Sequence, residues 1–255
     1  MVDAPIDLYC AAFVARQSHE LDADAVAAIA PGIRGFVRAD GERVIRLLVT
    51  DDRGYGRLTT EVGAARGEVH VFEHASRCDE LLRGQSGWTA YRAATAMVLR
   101  SVRVVANAPL PDGLVLRPVN RLGSEVPNAV PLQAAVAVAI ASDPGITEPA
   151  DEFARFLAGL PASVRLLAAV DDAGVVRATS GCDVFGEHAR VFFVNTEPGW
   201  RRRGIGRAMS VEALRVAASS GARRAFLHAT DDGASVYRRL GFETAGRLTR
   251  YSRAV

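Results

Sequence analysis

The segment Trp200–Ala208 constrains this chain more than any other part of its sequence. It reads WRRRGIGRA, so three consecutive arginines precede two glycines that are spaced two residues apart. An apolar run at 191–194 comes before it and an amphipathic pattern follows it, which together predict a strand, a loop and a helix start. A helix start leaves backbone N–H groups unpaired at the positive end of the helix dipole. The segment therefore predicts a binding site for a pyrophosphate.

Other phosphate-binding loops explain the sequence less well. A P-loop needs Gly-Lys-Ser/Thr, but all 31 basic residues of this chain are arginine. A dinucleotide fingerprint needs a third Gly or Ala where Met209 stands. The segment Arg53–Arg57 also spaces two glycines, but the residues after it are poor helix formers. We interpret Arg53–Arg57 as an ordinary turn.

Residues 113–255 show a regular order of strands and helices. Hydrophobic periodicity predicts a strand at 114–116, helices at 131–141 and 149–160, strands at 164–170, 175–184 and 189–196, a helix at 204–219, a strand at 224–229, a helix at 234–240 and a strand at 244–251. Strand–helix–strand alternation near the end implies one parallel pairing inside an otherwise antiparallel sheet. The first part predicts strands at 44–50 and 68–72 and a helical pattern over 78–100, in which Gly84 and Gly87 are the candidate break points.

A breaker cluster at Ala108–Gly113, with two prolines, an Asp and a Gly, predicts the domain boundary. We expect an N-terminal α+β domain at 1–112 and a second domain at 113–255. A net charge of +2 favours neither nucleic acid nor a membrane surface as partner. The longest apolar stretch, 129–141, is too short to span a bilayer, and no signal segment is visible, so we expect a cytoplasmic protein.

The three cysteines are isolated in the sequence and show no metal-ligand spacing. We interpret Cys10, Cys78 and Cys182 as small buried hydrophobes in a reducing compartment. No metal site is expected.

Two motifs make residues 113–255 resemble the GCN5-related N-acetyltransferases (GNAT). Arg201-x-x-Gly204-x-Gly206 is similar to the family's Gln/Arg-x-x-Gly-x-Gly/Ala loop, and Pro198–Trp200 is similar to its lead-in. Ala234-x-x-Tyr237-x-x-Leu240-Gly241-Phe242 resembles its second motif. The resemblance implies an α/β (α+β) fold with a mixed, mostly antiparallel sheet flanked by helices. The first 112 residues are then a degenerate copy of that fold, a substrate-selecting cap or a surface for homodimerisation.

The resemblance also implies acetyl-CoA as cosubstrate and a small-molecule or peptide amine as acceptor. The pyrophosphate is expected on the loop amides, the pantetheine arm along the preceding strand, and the proton for the departing thiolate on Tyr237. The implied cofactor-binding residues are Val194, Asn195, Thr196, Arg202, Arg203, Gly204, Ile205, Gly206 and Arg207.

The sequence does not identify the general base. Some family members use a Glu where Ala225 stands, and others hold CoA with an Asn where Thr230 stands. The remaining candidates are Asp183, Glu187, His188, His228 and Asp231. The leading hypothesis is an N-acetyltransferase that acts by direct attack in a ternary complex. The alternatives are a non-catalytic CoA-binding regulator or scaffold and, against the charge balance, a nucleic-acid-binding module.

Overall fold

The computed structural model describes residues 3–20, 26–38, 43–104, 107–120 and 126–253. The helices in these ranges are α1 (Pro5–Glu20), α2 (Tyr55–Val62), α3 (Ser76–Gly84), α4 (Leu132–Ser142), α5 (Ala150–Ala158), α6 (Ile205–Ser219) and α7 (Asp231–Arg239). The strands are β1 (Val26–Ala30), β2 (Ile33–Arg38), β3 (Val44–Val49), β4 (Arg66–Phe72), β5 (Thr89–Leu99), β6 (Leu114–Pro118), β7 (Val164–Asp171), β8 (Val176–Phe185), β9 (His188–Thr196), β10 (Arg224–Ala229) and β11 (Glu243–Arg253).

The chain divides into two compact units whose segments are not continuous in sequence. The first unit consists of Met1–Val98, His228–Ser235 and Glu243–Val255, and the second consists of Leu99–Leu227 and Val236–Phe242. The first unit therefore includes β11 as well as the N-terminal elements. The domain boundary between residues 112 and 113 stays a prediction.

Strand order in the first unit is β1-β2-β3-β4-β11-β5, with β3 and β4 parallel and the other neighbours antiparallel. Side chains alternate between the two faces along β4, as a strand requires. Val69 and Val71 join the core cluster that includes residues of α2 and α3. His70 and Phe72 make ring contacts to Phe13 and Tyr9 of α1.

Strand order in the second unit is β10-β9-β8-β7-β6, where only β9 and β10 are parallel. This is the predicted parallel pair in an antiparallel sheet. Alternation along β7 builds a core on each face of the sheet. Leu166 and Ala168 pack in the cluster of α4 and α5, whereas Leu167 and Ala169 pack with the start of α6.

The predicted helix over 78–100 is wrong beyond its first turns. The helix α3 ends at Gly84, Gly87 has a φ of +84°, and residues 89–99 form β5. Ala, Met and Leu favour helices, but this segment pairs along β11, and its six residues from Ala94 to Leu99 are buried. The tertiary environment here outweighs local propensity.

The segment Arg53–Arg57 also differs from the turn that we predicted. Residues 52–54 form a single 3-10 turn, and α2 begins directly at Tyr55. Burial of Leu58 and Val62 stabilises this helix in spite of its poor helix formers. The element order β3, loop, α2, β4, α3 thus resembles the order β9, loop, α6, β10, α7, and in each case the two strands are parallel.

Candidate functional site

The loop before α6 turns sharply through two left-handed residues. Gly204 has a φ of +80° and is the N-cap of the helix, and Arg202 has a φ of +65°. Glycine adopts this conformation without a steric penalty, which explains its place at the N-cap. The helix then begins at Ile205, whose buried side chain fixes the helix on the sheet.

The backbone amides of this loop donate no hydrogen bond to the described part of the protein. Within the described ranges, no group accepts a hydrogen bond from any amide between Arg202 and Arg207. The amides on either side are used: Arg201 N donates to the carbonyl of Pro198, and Ala208 N donates to the carbonyl of Gly204. Consecutive free amides at a helix start are the arrangement that binds phosphate oxygens.

Both glycines of the loop face open space. A Cβ at Gly204 would meet no atom within 4 Å, and a Cβ at Gly206 would meet only Thr196 Oγ1, at 3.6 Å. Because no protein atom fills the space beside these glycines, the absence of side chains leaves room for a ligand next to the backbone amides. The residues present therefore fit a bound pyrophosphate.

The side chains of the three consecutive loop arginines make different contacts. Arg201 donates from Nε to the carbonyl oxygen of Thr196 (3.2 Å) and from Nη2 to that of Ser142 (2.6 Å). It therefore braces the loop against the ends of β9 and α4. Arg203 lies over the Trp200 ring, with its Cζ 4.8 Å from the ring centroid. Arg202 has no side-chain partner in the part of the chain that the structure describes, so its guanidinium is available to an anion.

We expect Arg201→Ala to lower the free energy of unfolding by about 1 kcal/mol, because it removes two charge-assisted bonds to carbonyl oxygens. Urea unfolding measures this change. The matched variant is Arg202→Ala, which breaks no contact and should change stability by less than about 0.5 kcal/mol. Equal stability of the two variants would show that Arg201 does not brace the loop.

The strand β9 carries a bulge just before the loop. Phe192 pairs with Gly181 and Asn195 with Thr179, so that residues 193 and 194 together oppose a single residue of β8. Phe193 has a φ of +57°, which is unusual for a bulky side chain. Thr179 holds this conformation, since its Oγ1 donates to the carbonyl of Phe193 at 2.9 Å.

The edge of β9 that faces β10 is paired over only part of its length. The parallel register covers three residue pairs and ends at Arg190 and Phe226. Beyond that pair, no residue of β9 is paired with β10 within the described ranges. The half-buried residues Val194–Thr196 thus lie on a strand edge that β10 does not cover, where an extended ligand could add as a strand.

Tyr237 lies in the second unit near the C-terminal end of α7, where its ring packs edge-on against Phe242 with 5.8 Å between the centroids. Burial raises the pKa of Tyr237 to about 12, and a hydrogen bond with Ser210 acts in the opposite direction. The phenol therefore keeps its proton at neutral pH and can donate it. The one proton of Ser210 Oγ is donated to the carbonyl oxygen of Gly206 at 2.8 Å, which fixes this hydroxyl beside the loop.

Ser210 and Arg201 are the residues of this site to which the sequence analysis gave no role. Ser210 stands four residues after Gly206, at the spacing where a serine hydroxyl reaches back to a helix carbonyl. That spacing is a visible signal, although many helix serines share it. The loop motif distinguishes Arg201 from the other loop arginines, but its bracing role could not be predicted, because it depends on the carbonyl of Ser142, which is distant in the chain.

Two of the candidate bases belong to ion pairs of the second unit. Asp183 is fully buried in β8, accepts a hydrogen bond from Ser163 at 2.8 Å, and lies 3.9 Å from Arg190. Glu187 lies in the turn before β9 and pairs with Arg223 at 3.2 Å. Both have structural partners.

The other candidates are held by neighbours as well. His188 stacks on Phe185 at 6.2 Å, and burial lowers its pKa. In the first unit, His228 is hydrogen-bonded to the hydroxyl of Tyr9, and Asp231 pairs with Arg247 at 2.8 Å. All five candidates thus have a structural contact.

The cysteines are free and buried, as the sequence predicted. Burial raises the pKa of the Cys10 thiol to about 11 and those of Cys78 and Cys182 to about 12. Protonated, enclosed thiols are poor nucleophiles. The described ranges also contain no group of three His, Cys, Asp or Glu that could hold a metal ion.

The first unit has a loop of similar sequence in the equivalent place. There the Asp51 carboxylate accepts from the amide of Arg53, and the amide of Tyr55 donates to the carbonyl of Asp52. A Cβ at Gly54 would lie 2.3 Å from a side-chain carbon of Ile33. In this loop the protein itself fills the space beside Gly54 and uses the amides of Arg53 and Tyr55.

Comparison with known proteins identifies the class. Residues 162–244 match the family model described as an acetyltransferase (GNAT) domain. The predicted resemblance to this family is confirmed over these residues. No curated protein matches the chain.

Solved structures extend the likeness of fold over nearly the whole chain. A GCN5-related N-acetyltransferase from Kribbella flavida is 18% identical, with 95% of each chain covered and a TM-score of 0.60. One from Sphaerobacter thermophilus is also 18% identical, covering 88% of this chain and 78% of the other, with a TM-score of 0.55. A tandem GNAT protein from the clavulanic acid biosynthesis pathway is 15% identical, covering 97% and 94%, with a TM-score of 0.54.

These similarities confirm the predicted fold class, a mixed α+β fold with mostly antiparallel strands flanked by helices. The tandem neighbour agrees with the repeated element order of the two units. Among the helices in the described ranges, none is long and apolar enough to cross a membrane.

Proposed function

We propose that this protein is an acetyl-CoA-dependent N-acetyltransferase that transfers an acetyl group to the primary amine of a small molecule or peptide. The proposal is based on the consecutive backbone amides from Arg202 to Arg207, which donate no hydrogen bond within the described ranges and lie beside two glycines that face open space. These amides and the Arg202 guanidinium would bind the pyrophosphate of the cosubstrate. Arg201 would keep the loop in the binding conformation.

The edge of β9 would orient the rest of the cosubstrate. Backbone groups of Val194, Asn195 and Thr196 would pair with the pantetheine amides in the manner of an added strand. An amide near Thr196 would stabilise the negative oxygen that develops when the amine attacks the thioester carbonyl.

Tyr237 would act as the general acid. Attack of the neutral amine forms the N–C bond, and collapse of the tetrahedral intermediate breaks the C–S bond. The thiolate that leaves would take the Tyr237 proton, and the substituted amine would give its proton to water or to a base. Transfer would be direct, since the enclosed cysteines offer no thiolate for an acyl-enzyme.

Titration calorimetry with CoA and a thiol-release assay with acetyl-CoA and primary amines test this proposal. We expect CoA binding with a dissociation constant of about 1 µM to 1 mM and amine-dependent release of CoA. Absence of CoA binding would contradict the assignment of the loop.

The second candidate is a CoA-binding regulator without catalysis. It is supported by the structural partners of all five candidate bases. The same two assays separate the candidates: CoA binding together with silence across a broad amine panel would favour the regulator.

A further inference from the structure

The second unit has a cleft that is lined mainly by arginine side chains. The cleft has a volume of about 410 Å³ and lies where the turn before β9, the start of β10 and the residues after β5 come together. The residues that line it are Arg100, Ser101, Arg103, Glu187, Arg223 and Arg224. The proposed function assigns no role to any of them. We call this feature the arginine cleft.

Backbone hydrogen bonds join the three segments that form the arginine cleft. The carbonyl of Glu187 accepts from the amides of Arg223 and Arg224, at 2.8 and 3.0 Å. The carbonyl of Arg223 accepts from the amide of Val102 at 3.0 Å, and the Val102 side chain is buried. The backbone that carries the arginines is therefore fixed before a ligand arrives, which lowers the entropic cost of binding.

The positive charge of the arginine cleft is neutralised only in part. Arg223 pairs with Glu187 at 3.2 Å, but both side chains are more than half exposed, so water weakens this ion pair. Arg103 and Arg224 are exposed and have no carboxylate partner within the described ranges. Guanidinium groups around one cleft repel each other, and an anion bound between them would offset this repulsion.

The arginine cleft is separate from the loop before α6. It lies beside the first residues of β9 and β10, whereas the loop follows the last residue of β9. The strand β9 has nine residues. Since one residue spans about 3.3 Å, the two ends of this strand are roughly 26 Å apart. The loop and the cleft therefore cannot hold the same phosphate chain.

We propose that the arginine cleft binds a small polyanion that carries two or three linked phosphates. Guanidinium groups bind phosphate oxygens through paired, charge-assisted hydrogen bonds. Four arginines and one glutamate give the lining a net charge of +3, which a diphosphate or triphosphate group balances. The volume of the cleft suits a compact ligand, since small-molecule sites measure about 300–1,000 Å³. Inorganic polyphosphate and the phosphate chain of a nucleotide share this chemistry.

The test is titration calorimetry with inorganic triphosphate at about 50 mM salt, where screening is weak. The protein carries Gly206→Glu, so that the loop before α6 does not contribute. We expect one site with a dissociation constant of about 10–100 µM. Adding Arg103→Ala and Arg224→Ala should weaken binding at least about tenfold. The matched control adds Arg117→Ala and Arg238→Ala, which remove the same charge from exposed positions outside the cleft and should leave the affinity within about twofold.

The pKa of His188 gives a second measurement, which locates the ligand. Burial lowers this pKa, Arg224 lowers it further, and Glu187 acts in the opposite direction. An anion bound at Arg224 should therefore raise the pKa of His188, which an NMR pH titration with and without triphosphate measures. A pKa of His188 that triphosphate leaves unchanged would contradict the assignment of the cleft.

Two calorimetric results would also overturn the proposal. One is the absence of triphosphate binding in Gly206→Glu, and the other is equal affinity in the cleft variant and its matched control. Comparison with ATP separates the two sources of phosphate: tighter binding of ATP than of triphosphate assigns a nucleotide, and ATP binding that is no tighter assigns the phosphate chain alone. Arg103→Ala/Arg224→Ala in the wild-type background should keep its affinity for CoA within about twofold, so this proposal and the proposed function can fail independently.

Discussion

Replacing Gly206 by glutamate is expected to reduce the affinity for CoA by at least about 100-fold. The new side chain would enter the space beside the free amides and bring a negative charge to the place proposed for the pyrophosphate. The fold should tolerate the change, because a Cβ at Gly206 meets only Thr196 Oγ1, at 3.6 Å, and the residue already has helical geometry. Titration calorimetry with CoA gives the affinity, and thermal unfolding checks the fold.

The matched control for Gly206→Glu is Gly84→Glu. Gly84 is also helical, and a Cβ there meets no atom within 4 Å, but it lies at the end of α3 in the first unit. The control should bind CoA as the wild type does. Normal CoA binding by Gly206→Glu, in a protein that unfolds at the wild-type temperature, would disprove the loop assignment and with it the proposed function.

Replacing Tyr237 by phenylalanine should lower kcat by about 100-fold while CoA affinity stays within about twofold. The substitution removes only the hydroxyl, so the contact with Phe242 remains and the departing thiolate loses its proton donor. Steady-state kinetics with acetyl-CoA and an accepted amine measure the effect. The control is Tyr55→Phe in the first unit, where the ring lies 4.4 Å below the Arg77 guanidinium and the site is not involved.

The pH profile gives an independent check of the same role. With its pKa raised to about 12, Tyr237 remains protonated across the accessible range. We therefore expect no fall in kcat from tyrosine ionisation between about pH 7 and pH 10. A kcat of Tyr237→Phe within about twofold of wild type would assign the proton to another group.

The C-terminal part of the fold could be predicted because its signals are local. The strand at 189–196, the helix at 204–219 and the strand at 224–229 each have a clear hydrophobic period and end at a glycine or a charged turn. Their observed bounds differ by one residue or none. The two glycines allowed the loop before α6 to be predicted for the same reason. A tight turn and a helix start with unpaired amides are both determined by the residues of the loop itself.

The parts that could not be predicted depend on distant contacts. The segment 89–99 has the composition of a helix and becomes β5 because it pairs with β11. The helix α2 contains two threonines and a glycine, and it forms because Leu58 and Val62 are buried and because Arg43 and Arg57 pair with the buried Glu61. In the site, the brace from Arg201 to Ser142 and the Phe153–Phe193 contact join residues far apart in sequence.

The position of β11 between β4 and β5 has a consequence for biosynthesis. This strand follows every other strand of both units in the chain, yet it lies inside the sheet of the first unit. While the ribosome is still translating the second unit, the nascent first unit lacks an interior strand and exposes the edges of β4 and β5. Exposed strand edges invite aggregation. The N-terminal unit therefore cannot be completed before the second unit has been translated, and cellular chaperones have reason to bind the growing polypeptide until β11 emerges.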